Sequence, residues 1–439
     1  MEDLTLLPDT RGGRFRAFTA RDLAALADRG RIPAQQSLAM AAVAAVLPFR
    51  TNNYVVDELI DWSAVPDDPI FRLTFPQPDM LAPGDLKRTV ELIGRNASPA
   101  ELQRAVHEIR MRLNPHPDGQ VDLNIPVHNG RPLVGVQHKY PQTVLVFPSQ
   151  GQTCHAYCTY CFRWAQFVGE ADLRMATNDV DAVVGYLRDH PEVTNVLITG
   201  GDALVMSAGV LRRYVDALLA VDTIETIRFG TKALSYWPYR WLTDRDADDL
   251  LRLFDSVIAR GRHLAVMAHF SHPRELMTSA VQAAIRRIRS TGAIIRCQAP
   301  LIRGINDDAE TWAELWTLTS RLGAVPYYMF VERDTGPQDY FSVPLARCYE
   351  IFRTAYAQVA GIARTVRGPV MSATPGKVCV DGVTEVNGTR VFVLHFIQAR
   401  VPKLVGRPFF AQYDPDATWL TDLKPAFGAT HFLPGLDFV

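Results

Sequence analysis

The rhythm of apolar and polar positions changes once along the chain. Through the first 137 residues, apolar positions fall three and four apart in Ala20–Arg29, Gln36–Val46, Asp85–Asn96 and Pro99–Leu113, which predicts helices. Between them Pro66–Pro83 holds five prolines and predicts an extended loop lying on something else. Asn114–Gly119 is a turn cluster that closes this section. After Lys139 short β-rich runs recur: Val144–Phe147, Asn195–Thr199, Thr226–Phe229, Leu264–His269, Ile294–Gln298 and Tyr327–Val331. Amphipathic stretches separate them: Asp179–Asp189, Gly209–Ala220, Asp246–Arg260, Glu275–Thr291 and Glu310–Leu322. Strands alternating with helices predict a parallel sheet with right-handed crossovers. Six such units predict an incomplete (β/α)6 barrel, an α/β fold. The expected division is an N-terminal helical region at 1–137, the barrel at 138–360 and a C-terminal extension at 361–439. The extension mixes a strand, Thr389–Phe396, with prolines and aromatics; it either covers a subunit contact or closes the open side of the barrel. The N-terminal region is expected either to touch substrate and cofactor or to form a packing layer.

In barrels of this kind chemistry collects at the C-terminal ends of the strands. The polar residues obey that rule. The second run ends in Leu197–Asp202, the third in Arg228–Thr231 and the fourth in His269–His272; the fifth ends in Gln298, followed by Arg303–Asn306, and the sixth in Glu332–Asp334. The first leads into the densest chemical signal in the chain. Three of its six cysteines, Cys154, Cys158 and Cys161, fall within eight residues as C-x3-C-x2-C. An odd trio cannot make a paired disulfide framework. A structural zinc site ordinarily takes four ligands, and no fourth follows at finger spacing. Three thiolates do suit a cubane iron–sulfur cluster, leaving one iron open to an outside ligand. Gly200 and Gly201 let the backbone pass close to a ligand, and Asp202 beside them can pair with an amino group. Cys297, Cys348 and Cys379 are isolated and read as small buried apolar residues.

Composition narrows the partners. With 46 basic against 47 acidic residues, nothing suggests nucleic acid or an anionic membrane. No apolar run is long enough to span a bilayer. Met1–Thr5 has no basic region leading into an apolar core, so no signal peptide is expected, and clustered free thiols then predict a reducing cytoplasm.

The cysteine motif, with Tyr160 just before its last thiol, resembles the radical S-adenosylmethionine (SAM) superfamily. More narrowly, residues 138–400 resemble the lysine 2,3-aminomutase family. The matching stretches are His138–Pro141, Cys154–Gly169, Leu197–Leu204, Arg228–Arg240, His269–Glu275, Leu301–Asp307 and Ala373–Lys377. The resemblance implies a TIM-like partial barrel of the radical SAM type. It implies a [4Fe-4S] cluster on the three cysteines, SAM at Gly200, Gly201, Asp202, His269 and Gln298, and pyridoxal 5′-phosphate (PLP). Lys139 and Tyr140 match a stretch that contributes to PLP binding. Lys377 matches the lysine that carries PLP, although the glycine run before it is shortened to Gly376. Arg163 matches the arginine that clamps the substrate carboxylate.

The implied reaction moves an amino group from C2 to C3 of an amino acid, fed by an electron donor such as flavodoxin or ferredoxin, in a homo-oligomer. Lysine-specific members hold the distal ammonium with two aspartates. Here those positions read as Arg333, with Asp334 adjacent, and Ser372. An arginine and a serine welcome a carboxylate, so an acidic substrate, glutamate first, is expected. Some members bind zinc through further cysteines near the C-terminus; none follows Cys379, and no structural zinc is expected. The alternatives are lysine itself, another radical SAM reaction on a peptide or tRNA side chain, or a cluster-binding sensor that needs no SAM site.

Overall fold

The computed structural model describes residues 14–433. One curled sheet of eleven strands organises them. In chain order the strands are β1 (Val136–Tyr140), β2 (Thr143–Val146), β3 (Asn195–Ile198), β4 (Thr226–Thr231), β5 (His263–His269), β6 (Ile294–Leu301), β7 (Val325–Val331), β8 (Arg367–Ala373), β9 (Gly376–Val386), β10 (Thr389–Ala399) and β11 (Pro408–Gln412). Neighbours in sequence are neighbours in the sheet. From β2 to β8 every pairing is parallel, while β1 and β9–β11 add antiparallel strands at the two ends.

The six expected strand–helix units are present. Their helices are α4 (Val180–Asp189), α5 (Ala208–Leu219), α6 (Ala247–Ala259), α7 (Ser279–Ser290), α8 (Ala309–Arg321) and α9 (Leu345–Gln358). Asp179, Ser207, Thr278 and Asp308 cap α4, α5, α7 and α8 by accepting backbone N–H bonds in the first turn. In α6 the buried set Leu250, Leu253, Phe254 and Val257 repeats at helical spacing, and Phe254 stacks on Phe229 of β4. A seventh parallel strand, β8, was not foreseen. Its Gly368–Pro369 pair masks the strand pattern in the sequence, yet Val370 and Met371 are fully buried.

The sheet bends until its ends meet. Lys139 of β1 donates to the carbonyl of Ala373 at the end of β8. Arg400, just past β10, donates to Thr374 O at 2.8 Å and to Leu123 O at 3.2 Å. These bonds join segments far apart in sequence and nearly close the barrel.

Ahead of the sheet, α1 (Ala34–Val46), α2 (Pro83–Gly94) and α3 (Pro99–Arg112) form the helical layer. The proline-rich stretch departs from expectation, because its prolines start helices. Pro69 opens the helix Pro69–Thr74, and the fully buried Asp68 accepts from Phe71 N at 2.7 Å. Proline at the first helical position loses no bond that the helix would have made. Past the barrel, β9 and β10 form a hairpin whose turn, Asn387–Gly388, takes φ of 49° and 76°. Phe392, Phe396, Phe409 and Trp419 pack there into a satellite core anchored on Val331 and Leu345. The extension therefore prolongs the sheet beyond β8. Among the described residues no helix is long and apolar enough to cross a membrane.

Candidate active site

Cys154, Cys158 and Cys161 lie in the irregular loop after β2, and all three line a cavity of about 240 Å³ at the C-terminal ends of the strands. The loop is held from both sides. Gly201 N donates to Gly151 O at 3.0 Å and Asp202 N to Thr153 O at 2.8 Å. From the N-terminal region, Arg50 Nη1 donates to Thr153 Oγ1 at 3.0 Å and Asn52 Nδ2 to His155 O at 3.2 Å. Tyr157 N and Thr159 N donate to the carbonyls of Arg50 and Leu73 at 2.7 and 2.9 Å. The N-terminal layer thus braces the cysteine loop.

Burial pushes all three thiols up, Cys161 to about 12, and for Cys154 and Cys161 the neighbouring cysteines add to the effect. At neutral pH they are thiols until a metal displaces their protons, which is the donor chemistry a cluster requires.

Gly200 and Gly201 make close approaches, but to the cysteine loop. A Cβ on Gly201 would stand 2.3 Å from Thr153 O; one on Gly200, at φ +148°, would meet the Gln152 side chain and lie 3.2 Å from Gly151 O. Asp202 lines the cavity, yet its carboxylate is already engaged. It accepts from Thr231 Oγ1 at 2.7 and 2.9 Å, Lys232 N at 2.8 Å and Leu204 N at 2.9 Å. The expected pairing of Asp202 with an amino group would have to share this carboxylate with donors that tie the ends of β3 and β4 together.

His269 and Gln298 stand together on the cavity wall, joined at 2.9 Å. Burial, helped by the Lys232 ammonium, pushes His269 down to about 3, so its ring is neutral. Lys232 was not singled out from the sequence. Its ammonium lies 2.6 Å from the fully buried Glu275, which also receives the Ser235 hydroxyl and the Ser271 and His272 amides. Lys232 also partly offsets the effect of burial on Cys158.

Two guanidinium groups of the cavity lining lie near Phe162. Arg163 lies 5.2 Å and Arg333 5.0 Å from its ring centroid. Both line the cavity, as does Ser372. Arg163 is pushed down to about 9 by burial, with Arg333 contributing, and its Nη1 has no hydrogen-bond partner. Asp334 is not among the lining residues; the Asn114 side chain donates to its carbonyl at 2.6 Å. Glu332 does line the cavity, with its carboxyl pushed well above the carboxylate range by burial, although the Arg333 charge opposes this.

Lys377 sits on β9, beside the cavity. Its Nζ lies 4.7 Å from the Tyr140 ring centroid and 5.7 Å from that of Tyr328, and donates to Gln398 Oε1. Burial pushes its amine down to about 7, and the charges of Arg228, Lys139, Arg367 and Arg333 push the same way. Lys139 and Tyr140 of β1 are therefore brought beside Lys377, as the resemblance implies. Arg228 Nε is buried without a hydrogen-bond partner, and Arg367 stacks on Tyr327 and Tyr328, both at 4.6 Å. Among the described residues no carboxylate pairs with Arg228, Arg367 or Lys377. So many cations around a half-neutral lysine fit a cofactor that carries a phosphate and a carbonyl. Arg228 was read from the sequence only as the polar end of a strand, where a charge inside a parallel strand was the available signal, and Arg367 was not singled out, because it opens the unforeseen β8.

No family model matches the chain. A putative L-lysine 2,3-aminomutase of Aquifex aeolicus is 31% identical over 392 residues, covering 89% of this chain and 91% of the relative. The L-lysine 2,3-aminomutase of Clostridium subterminale is 27% identical over 242 residues, 55% of each chain. The glutamate 2,3-aminomutase of Clostridioides difficile is 25% identical over 228 residues, 52% of this chain and 51% of its own. Among solved structures, a radical SAM methyltransferase from Sphaerobacter thermophilus covers 53% of this chain and 68% of its own at 20% identity, with a TM-score of 0.36, too low to carry an argument. The first relative spans nearly all of both chains, and this family's cofactors are the cluster, SAM and PLP that the cavity and the cationic basin suit. The chain is a member of the lysine 2,3-aminomutase family of radical SAM isomerases.

Proposed function

We propose that this protein is a 2,3-aminomutase for an acidic α-amino acid, glutamate first, yielding the β-amino acid. The observation that carries the reading is that Arg163 and Arg333, each about 5 Å from the Phe162 ring, line the cavity together with Ser372, while Asp334 is not among the lining residues. Two guanidinium groups suit a substrate with two carboxylates, one for each. An ammonium at the same place would meet like charge.

When bound, the cluster, SAM and PLP supply a reductively generated carbon radical and a conjugated carrier for the migrating nitrogen. The protein's share is positional. Cys154, Cys158 and Cys161 would hold the iron, and Gly200, Gly201, Asp202, His269 and Gln298, which line the same cavity, would bind SAM. Lys377 offers a half-neutral amine at neutral pH, and Lys139, Tyr140, Arg228 and Arg367 surround the place for a phosphate. A flavodoxin- or ferredoxin-like donor, a homo-oligomer and a reducing compartment complete the proposal.

Lysine is the second reading, favoured by the names of the relatives at 31% and 27% identity. The test is to assay glutamate, aspartate and lysine side by side for β-amino product under anaerobic reducing conditions. Turnover of glutamate supports the proposal; turnover of lysine alone overturns it.

A further inference from the structure

Away from the cavity, Cys379 of β9 and His395 of β10 are direct partners across the hairpin. The register slips between Val380 and Gly382, leaving Asp381 as the extra residue of a bulge. Bulges re-aim side chains, and here the carboxylate swings onto its neighbours. Asp381 Oδ2 lies 2.5 Å from His395 Nδ1. One ligand atom from each of the three residues lies within 4.8 Å of the others. We infer that Cys379, Asp381 and His395 form a second, mononuclear site for a zinc-class divalent cation.

The donor set selects the metal. Thiolate, imidazole and carboxylate together suit Zn²⁺, whereas Ca²⁺ and Mg²⁺ take oxygen ligands. Charge and protons balance. As ligands, a carboxylate and a thiolate each bring one negative charge and a neutral imidazole brings none. The thiol releases one proton to solvent, so a divalent ion leaves the site neutral. Cys379 is buried, but the side chains of His395 and Asp381 are 29% and 39% exposed, so water can supply the fourth position. The isolated cysteine of the sequence is thus one corner of a site assembled by a hairpin register and a bulge. A metal there would pin β9 to β10 two residues past Lys377. Tyr328 links the two places, since it packs with Cys379 and its ring faces the Lys377 amine.

The test uses cluster-assembled protein dialysed against metal-free buffer, then titrated with zinc chloride against a chromophoric chelator. Zinc K-edge absorption reads the ligands. The expected result is one zinc per chain with a single sulfur neighbour. Cys379→Ser and His395→Ala should weaken binding by at least the 10–100-fold that outer-shell changes alone cost, with circular dichroism and iron content unchanged. Cys348→Ala, a buried thiol elsewhere, should bind as wild type. Three outcomes overturn the inference: no zinc uptake, uptake unaffected by those two variants, or a zinc shell with two or three sulfurs, which would place the metal on Cys154, Cys158 and Cys161.

Discussion

Lys377 is the residue whose chemistry is most exposed to a single distant change. Its amine is pushed from the usual 10.5 to about 7, by burial first and then by Arg228. At 1.36 kcal/mol per pH unit, keeping the charged form there costs roughly 5 kcal/mol. The folded value lies below the unfolded one. The cost to folding is therefore full below pH 7 and fades as pH rises toward 10.5, so cofactor-free protein should gain stability across that interval. Arg228→Met removes the leading cation and its orphaned Nε while keeping an apolar chain of similar reach. A charge in a titrating group's immediate surroundings moves it by about 1–3 pH units. The variant should thus raise the Lys377 amine by about one unit and shrink the neutral fraction at pH 7. Protein labelled with 13C at lysine Cε, with Lys377→Met to assign the signal, reads this directly by NMR titration. A wild-type Lys377 that titrates near 10.5, or one that Arg228→Met leaves unmoved, would refute the electrostatic account of this lysine.

Gly201→Ala should lower iron per polypeptide after anaerobic reconstitution, because its Cβ would strike the backbone of Thr153 at 2.3 Å; Gly209→Ala, where nothing lies within 4 Å, should reconstitute normally. Asp202→Asn should destabilise the fold by about 1–3 kcal/mol in chemical denaturation, since the amide cannot accept from all the donors the carboxylate now serves. Arg333→Met should cut kcat/KM for glutamate by the equivalent of about 2–5 kcal/mol, the cost of leaving a buried charge without its partner. Asp334→Asn should leave the preference between glutamate and lysine as it is, because that side chain does not line the cavity.

Much of this protein can be read without its coordinates, for a physical reason. The six strand–helix units follow from periodicity, a local property that successive side chains record directly. The cluster motif is likewise local, since C-x3-C-x2-C needs only eight residues to declare itself. Arg163, Lys139 and Lys377 were visible because each lies in a short stretch with a recognisable neighbourhood. Tertiary structure decided the rest. The cations around Lys377 come from β1, β4, the segment after β7, and β8, separated by tens to hundreds of residues, and meet only because the sheet curls. Arg333 and Asp334 are adjacent in sequence, but only Arg333 lines the cavity, and both lie in the irregular segment past β7, where no strand period tells which side chain faces which way. The partners of Asp202 and the bulge at Asp381 were hidden for the same reason: each depends on which strand lies alongside, and no residue carries that information by itself.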